Sequence, residues 1–236
     1  MSDDLSELIH STAPTAQRPL LGLTVLVVED SRFASEAMRL LCLRSGARIR
    51  RADCLASARR HLATYRPGVV IVDMGLPDGS GADLIREIRA MKPVPPVVLG
   101  TSGDSGTGPV ALAAGADGFL EKPLESLAAF QQVVLTALPN DLRPAVLAAA
   151  PDDLVHPDPI ALRDDLHHMA EILSPQADAT ALSYAAQFLT GVARSAHDAA
   201  LETAASALAR EGGPQATDVS RLSNLVRERI ATGAAF

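Results

Sequence analysis

The chain has 236 residues, of which 47% are hydrophobic and only 3% aromatic, and its net charge at pH 7 is −7. So few aromatic side chains argue against a stacking platform for single-stranded nucleic acid. The negative charge provides no general attraction to DNA or to anionic membranes. Neither a basic, apolar leader nor an apolar run of the roughly 20 residues that span a bilayer is recognisable, so we expect a cytoplasmic protein without membrane contact.

The first 138 residues alternate between strand and helix patterns, after a flexible, polar N-terminal extension at residues 1–21. Strands are predicted at 23–28, 47–51, 69–72, 97–100 and 116–120, and helices at about 31–44, 52–65, 81–91, 109–114 and 124–138. Short apolar strands that alternate with helices are typical of a doubly wound α/β fold. We therefore predict a five-stranded parallel sheet in a domain at residues 22–138.

The second half of the chain has a different composition. A proline-rich linker at 139–158 leads into an alanine-rich region at 159–236, where helical periodicity predicts four amphipathic helices at 160–173, 176–194, 197–210 and 218–230. This pattern favours an all-α four-helix bundle. Residues 151–236 carry six arginines against twelve acidic residues, a net charge of −6. Since a DNA-binding domain should present a basic face, DNA is an unlikely partner.

Polar residues follow the predicted strands of the first domain. Glu29 and Asp30 follow the first strand, Asp73 the third, Thr101 the fourth and Lys122 the fifth. Open α/β sheets bind ligands at the carboxyl ends of their strands, so these side chains should meet at one edge. Three carboxylates together favour a hard divalent cation such as Mg²⁺, while a hydroxyl and an ammonium group suit phosphoryl oxygens. The hypothesis from the residues is that Asp73 becomes an aspartyl phosphate.

Four segments together resemble the receiver domain of bacterial two-component response regulators. They are VLVVEDS at 25–31, VVIVDMGLPDGSG at 69–81, VVLGTS at 97–102 and AGADGFLEKP at 114–123. The resemblance covers residues 22–138, about half of the chain. It implies a flavodoxin-like sheet with strand order 2-1-3-4-5.

The resemblance also assigns roles to individual residues. It implies that Asp73 is the phosphoacceptor, that Thr101 and Lys122 contact the phosphoryl group, and that Phe119 moves together with Thr101 in a switch. It implies a cis bond between Lys122 and Pro123. The Mg²⁺ ligands that it implies are Glu29, Asp30, Asp73 and the backbone carbonyl of Gly75.

The chain departs from the family's pattern near the predicted fourth helix. Residues 103–109 contain three glycines and a proline, which should shorten that helix. Glycine also stands two residues after Asp73, at Gly75, and two residues after Thr101, at Gly103. Because no side chain shields the pocket there, we expect water to reach the phosphoryl group and the phosphorylated state to be short-lived.

Residues 185–211 of the helical region resemble the central hairpin of histidine phosphotransfer domains. The positions that correspond to that family's reactive histidine and to the leucine, lysine and glycine after it are Gln187, Leu189, Thr190 and Gly191. The resemblance implies a degenerate domain that keeps the shape and carries no phosphate at that position. A helical module for dimerisation or partner binding is an equally supported alternative.

Together these features predict a response regulator of a phosphorelay. A histidine kinase or a phosphotransfer protein would phosphorylate Asp73, which would change the contacts of the helical region and of a downstream protein partner. We expect no separate catalytic domain and no enzyme activity beyond self-dephosphorylation. The alternatives are a phosphate sink whose helical region forms a homodimer, a DNA-binding regulator, and a haloacid-dehalogenase-like phosphatase. The last needs a second acid where Gly75 stands.

Overall fold

A five-stranded parallel sheet forms the centre of the N-terminal half. The computed structural model describes residues 14–93, 95, 97–143, 153–174, 177–208 and 215–233. The strands are β1 (Thr24–Val28), β2 (Arg48–Ala52), β3 (Val69–Asp73), β4 (Val97–Ser102) and β5 (Gly118–Glu121). They lie in the order β2-β1-β3-β4-β5, and all neighbours are parallel. The predicted fold class and strand order are confirmed.

Helices cover both faces of this sheet. On one face α1 (Arg32–Arg44) and α5 (Leu127–Ala137) share a buried apolar cluster with the strands. On the other face lie α2 (Leu55–Thr64), α3 (Gly81–Ala90) and α4 (Gly108–Ala113). With only six residues, α4 is as short as the glycines and proline around it predict.

The central strand β3 places Asp73 at the edge of the sheet. All five of its residues, VVIVD, are buried, and Asp73 pairs in register with Thr101 of β4. The sequence predicted that β4 ends at Gly100, whereas the strand continues to Ser102 and includes Thr101. The chain then folds back closely after β3, because Gly81 lies against the carbonyl of Asp73, where a Cβ atom would overlap it.

Parts of the predicted extension and linker pack into this domain. Leu20 is fully buried, and its N–H donates to the carbonyl of Ser45 over 2.9 Å. Val155 is also fully buried, and its N–H donates to the carbonyl of Glu125 over 2.9 Å. Both residues lie outside the predicted domain at 22–138, so their burial in it differs from the expectation. Residues 1–13 and 144–152 of those two segments lie outside the described residues.

The described residues of the C-terminal half form four helices around a second apolar core. These are α6 (Pro159–Ile172), α7 (Ala179–Ser195), α8 (Ala199–Leu208) and α9 (Ala216–Thr232). The side chains at the core of each helix are mainly leucine and alanine, at the helical spacing that the sequence shows. One residue of the first domain, Phe33 of α1, belongs to the same cluster. The two halves are therefore in apolar contact.

A buried ion pair joins two helices of this C-terminal half. Asp198, 5% exposed, precedes α8 and accepts a hydrogen bond of 3.0 Å from the N–H of Leu201. Its other carboxylate oxygen accepts from Nε of Arg229 on α9 over 2.7 Å. Burial alone would raise the pKa of Asp198, but the hydrogen bonds from Arg229 and the backbone hold it below its usual value.

Among the described residues, no helix has both the length and the apolar composition that crossing a membrane requires.

Candidate functional site

A buried lysine and two carboxylates form the centre of the site. Nζ of Lys122, one residue beyond β5, lies 2.6 Å from Oδ2 of Asp73 and 2.7 Å from Oε2 of Glu29. All three residues are at most 7% exposed. The peptide bond from Lys122 to Pro123 is cis. The strand ends therefore bring together the predicted lysine and the predicted carboxylates.

The charges in this pocket shift one another's pKa values. Burial raises the pKa of Glu29 well above its usual range, and the negative charge of Asp73 adds to that shift. The same two causes, in the same order, raise the pKa of Asp30 to about 7. Burial alone would lower the pKa of Lys122, but Asp73 and Glu29 raise it, so the ammonium stays charged. The pocket thus holds more carboxylates than its lysine neutralises.

The donor set fits a hard divalent cation. Glu29, Asp30 and Asp73 each place a carboxylate oxygen within 4.8 Å of the others. Oε2 of Glu29 is buried and, although close to Lys122, makes no hydrogen bond of good geometry. Oxygen-only ligands with an excess of negative charge are what Mg²⁺ prefers. Gly75 lies at the same edge, where its N–H donates to Oδ1 of Asp73 over 3.2 Å.

Thr101 and Phe119 lie behind this pocket. The hydroxyl of Thr101 is fully buried and donates to the carbonyl of Leu120 over 2.7 Å. The half-buried ring of Phe119 lies between Gly100 and Gly108, where a Cβ atom on either glycine would be within 3.4 Å of the ring. In this arrangement the Thr101 hydroxyl is engaged with the backbone of β5. The two predicted switch residues are neighbours on adjacent strands.

Helix α7 of the C-terminal half lies across the mouth of the pocket. The hydroxyl of Tyr184 donates to Oδ2 of Asp30 over 2.7 Å. The amide of Gln187 occupies the space above Gly75, such that a Cβ atom at residue 75 would be 2.7 Å from its Cδ. One turn further, a Cβ atom on Gly103 would be 3.2 Å from Cα of Gly191.

This contact corrects one sequence-based expectation. The two glycines were expected to leave the pocket open to water, but the space beside them is occupied by α7. A small cavity is left between α7 and the pocket, and it is lined by Asp73, Lys122 and Gln187. The volume of this cavity that is accessible to the centre of a water molecule is about 30 Å³. That volume holds one or two waters. The absent side chains at 75 and 103 therefore make room for a helix.

A buried carboxylate on α6 anchors the two halves to each other. Asp165, 3% exposed, accepts hydrogen bonds from the hydroxyl of Ser31 (2.7 Å), the N–H of Arg32 (2.9 Å) and the N–H of Phe33 (3.0 Å). These donors form the N-terminal turn of α1, directly after the acidic pair. Beside them, Asp164 makes an exposed ion pair with the Arg32 side chain at 2.6 Å.

Asp165 and Tyr184 were not predicted as site residues from the sequence. A signal for Asp165 was present, since it falls three residues after Leu162 and directly before Leu166, on the apolar face of its helix. A carboxylate at such a position has to find buried donors. Tyr184 carried no such signal, because a tyrosine on an amphipathic helix is ordinary core or rim.

An open cleft borders the pocket on the side of α6. Its volume is about 970 Å³, and it reaches from the acidic pair to the end of β2 and to the polar face of α6. Charged groups of both signs line it, among them Arg51, Asp53 and Glu171, and the imidazole of His167 lies beside them. With α7 in place, this cleft is the wide approach to Asp30, whereas Asp73 faces the small cavity.

The N-terminal half is similar to known proteins. Residues 25–134 match the family model described as the response regulator receiver domain. The KDP operon transcriptional regulatory protein KdpE of Escherichia coli K12 is 37% identical over 99 residues, which cover 42% of this chain and 44% of that protein. The probable transcriptional regulatory protein TcrX of Mycobacterium tuberculosis H37Rv is 36% identical over 114 residues, which cover 48% and 47%.

The chain spans about half the length of these curated relatives. Among solved structures, a CheY-like receiver domain from Methylobacillus flagellatus is 26% identical with a TM-score of 0.45, and the match covers 49% of this chain and 98% of that one. The receiver domain of the Pseudomonas aeruginosa PAO1 sensor histidine kinase PA1611, described with magnesium in its active-site cleft, is 24% identical with a TM-score of 0.43, and covers 47% and 92%.

Proposed function

We propose that this chain accepts a phosphoryl group on Asp73 from the phosphohistidine of a kinase or phosphotransfer protein. The premise is that residues 25–134 match the response regulator receiver domain. The observation that carries the proposal is the buried pair of Lys122 Nζ and Asp73 Oδ2 at 2.6 Å, next to two further carboxylates. An ammonium group held against one carboxylate is placed to bind the oxygens of a phosphoryl group that bonds to that carboxylate.

The proposal includes a magnesium ion, which would be the second positive charge at the site beside the Lys122 ammonium. Glu29, Asp30 and Asp73, with the backbone carbonyl of Gly75, would hold the ion, which when bound neutralises charge on the phosphoryl oxygens. Lys122 then binds phosphoryl oxygens from the other side. Thr101 is engaged with the β5 backbone, so we propose that it must change partners to reach the phosphoryl group, and that Phe119 moves with it.

The output that we propose is a change in the contact between the receiver domain and α7. The cavity of about 30 Å³ that remains under α7 is too small for a phosphoryl group together with a hydrated metal ion. Phosphorylation and the present position of α7 therefore oppose each other, and the phosphoryl group shifts the population toward a state in which α7 has moved away. That state would expose the face of α7 to a downstream protein partner.

We further propose that residues 159–236 are a degenerate phosphotransfer-like domain. In support, α7 and α8 form a closely packed pair, and the face of α7 that lies on the pocket contains Gln187 and Gly191. A phosphotransfer helix would have to present its histidine to Asp73 from a similar direction. Here a glutamine, which accepts no phosphoryl group, is presented to the site instead.

DNA binding remains the alternative output, because the curated relatives are named transcriptional regulators. The match covers only about half of each of those proteins, and residues 151–236 of this chain carry a net charge of −6. The acidic charge favours a protein partner. A phosphate sink would need no such partner and would keep the same contact of α7 in both states.

Small-angle scattering tests the proposal on the full-length protein with Mg²⁺, before and after addition of beryllofluoride as a phosphoryl mimic. We expect a larger radius of gyration with the mimic, since α7 has to leave the pocket. An Asp73→Asn variant should show no change. Confirmed binding of the mimic without any change in shape would contradict the switch and favour the phosphate sink.

A further inference from the structure

The amide of Gln187 has a position that docking alone does not explain. It lies above Gly75, two residues after Asp73, and lines the small cavity together with Asp73 and Lys122. Its side chain is exposed and makes no hydrogen bond to any described part of the chain. By contrast, Tyr184 and Asp165 hold the two halves together through hydrogen bonds of 2.7–3.0 Å. The Gln187 amide is thus free to bind water at the mouth of the pocket.

A carboxamide at this place has a specific chemical use. Its carbonyl oxygen accepts a hydrogen bond from a water molecule and its N–H₂ group donates one to a phosphoryl oxygen, so it can hold both in line. Glutamine side chains orient the attacking water in GTPases in this way. The cavity under α7 has room for one or two waters, and Gly75 in its wall places no side chain between the Gln187 amide and the pocket.

We propose that Gln187 is a catalytic residue for hydrolysis of the phosphoryl group on Asp73, which makes the C-terminal domain a phosphatase of its own receiver. The inference rests on the function proposed above, because it requires phosphorylation of Asp73. Fully docked α7 leaves too little space for the phosphoryl group, so the exposed Gln187 side chain reaches that group while α7 approaches the pocket. The amide then contacts the phosphoryl oxygens and the water from the rim.

The reaction balances with water as the only co-reactant. The water oxygen forms a bond to phosphorus, and the bond between phosphorus and the Asp73 oxygen breaks. Its electron pair stays on the Asp73 carboxylate. Both protons of the water end on the released phosphate, so the acyl phosphate dianion becomes a carboxylate and dihydrogen phosphate. Gln187 positions the water and is unchanged.

With this activity, the docking of α7 would control the lifetime of the phosphorylated state. Phosphorylation shifts α7 away from the pocket, and each return of α7 brings Gln187 back to the phosphoryl group. The lifetime of the phosphorylated state then depends on the fraction of molecules in which α7 lies close enough for Gln187 to reach the phosphoryl group. Without a downstream partner to hold α7 away, the signal ends quickly.

The test follows the decay of phosphorylated full-length protein. Asp73 is labelled with radioactive acetyl phosphate and Mg²⁺, the donor is removed, and loss of label and release of phosphate are followed over time. We expect Gln187→Ala and the nearly isosteric Gln187→Glu to slow the decay about tenfold or more, since each loses the donor. Thr190→Ala is the matched control, because the Thr190 hydroxyl donates within its own helix to the carbonyl of Ala186 over 2.7 Å.

Three outcomes separate the hypotheses. Slower decay of both Gln187 variants with an unchanged rate of labelling supports the inference. Equal decay in wild type and both Gln187 variants overturns the inference and leaves the proposed function intact. Failure of wild type and variants alike to take up label overturns the proposed function and, with it, the inference.

Discussion

Removal of the Asp165 carboxylate should release the C-terminal helices from the receiver domain. Asp165→Ala eliminates three hydrogen bonds, of 2.7, 2.9 and 3.0 Å, to the first turn of α1. Hydrogen bonds to a charged group contribute about 1.5–3 kcal/mol each, but this carboxylate is buried, and burial raises its pKa because the charged form is desolvated. We therefore expect a net loss of about 3 kcal/mol in docking free energy, which corresponds to roughly a 100-fold shift.

Two measurements on the full-length protein check this value. The first is the rate at which acetyl phosphate labels Asp73, which should rise at least about tenfold because the pocket is no longer covered. The second is hydrogen exchange at the amides of Arg32 and Phe33, which lose their acceptor and should exchange faster. Circular dichroism verifies that the variant keeps its helices.

The neighbouring residue provides the control. Asp164 pairs with the Arg32 side chain at 2.6 Å, but both side chains are more than 40% exposed, so Asp164→Ala should cost less than about 1 kcal/mol. It should leave labelling and exchange near the wild-type values. Equal behaviour of the two variants, or wild-type rates in Asp165→Ala, would refute the role of Asp165 as the anchor.

Two further predictions concern stability. Gly81→Ala should lower the free energy of unfolding by about 2–3 kcal/mol, because its Cβ atom would overlap the carbonyl of Asp73. Gly191→Ala should raise the free energy of unfolding by about 0.5–1 kcal/mol, because a Cβ atom there meets nothing within 4 Å. Chemical denaturation measures both, and equal values would contradict the close turn after β3. Asp198→Ala should lose about 2 kcal/mol near pH 7, from the helix cap and the ion pair with α9.

The stabilisation by Asp198 should also depend on pH. The folded state holds the pKa of Asp198 below its unfolded value of about 4, so its stabilisation is present above roughly pH 4 and is lost as the pH falls through the lower, folded pKa. Wild type and Asp198→Ala should therefore differ in thermal stability at pH 7 and converge once the pH falls below the folded pKa of Asp198. A difference that persists in acid would indicate that packing of the side chain, and not its charge, is responsible.

The fold of the α/β half could be predicted from the sequence because each of its strands and helices has a recognisable local pattern. Buried strands of β-branched residues alternate with capped helices, and parallel strands bring their carboxyl ends to one edge. That rule alone predicts that Glu29, Asp30, Asp73 and Lys122 lie together. The rule could not show that Thr101 lies within β4, since the end of a strand depends on pairing with β5.

The sheet, the acidic pocket with its lysine and the four amphipathic helices after it follow from local sequence patterns. Three features come from tertiary contacts: α7 covers the pocket, Asp165 joins α6 to α1, and Gln187 lies above Gly75. These contacts join residues more than 100 positions apart, and the hydrophobic periodicity of the sequence contains no information on them. They depend on how two separately patterned cores meet, which is set by the shape and polar complementarity of their surfaces.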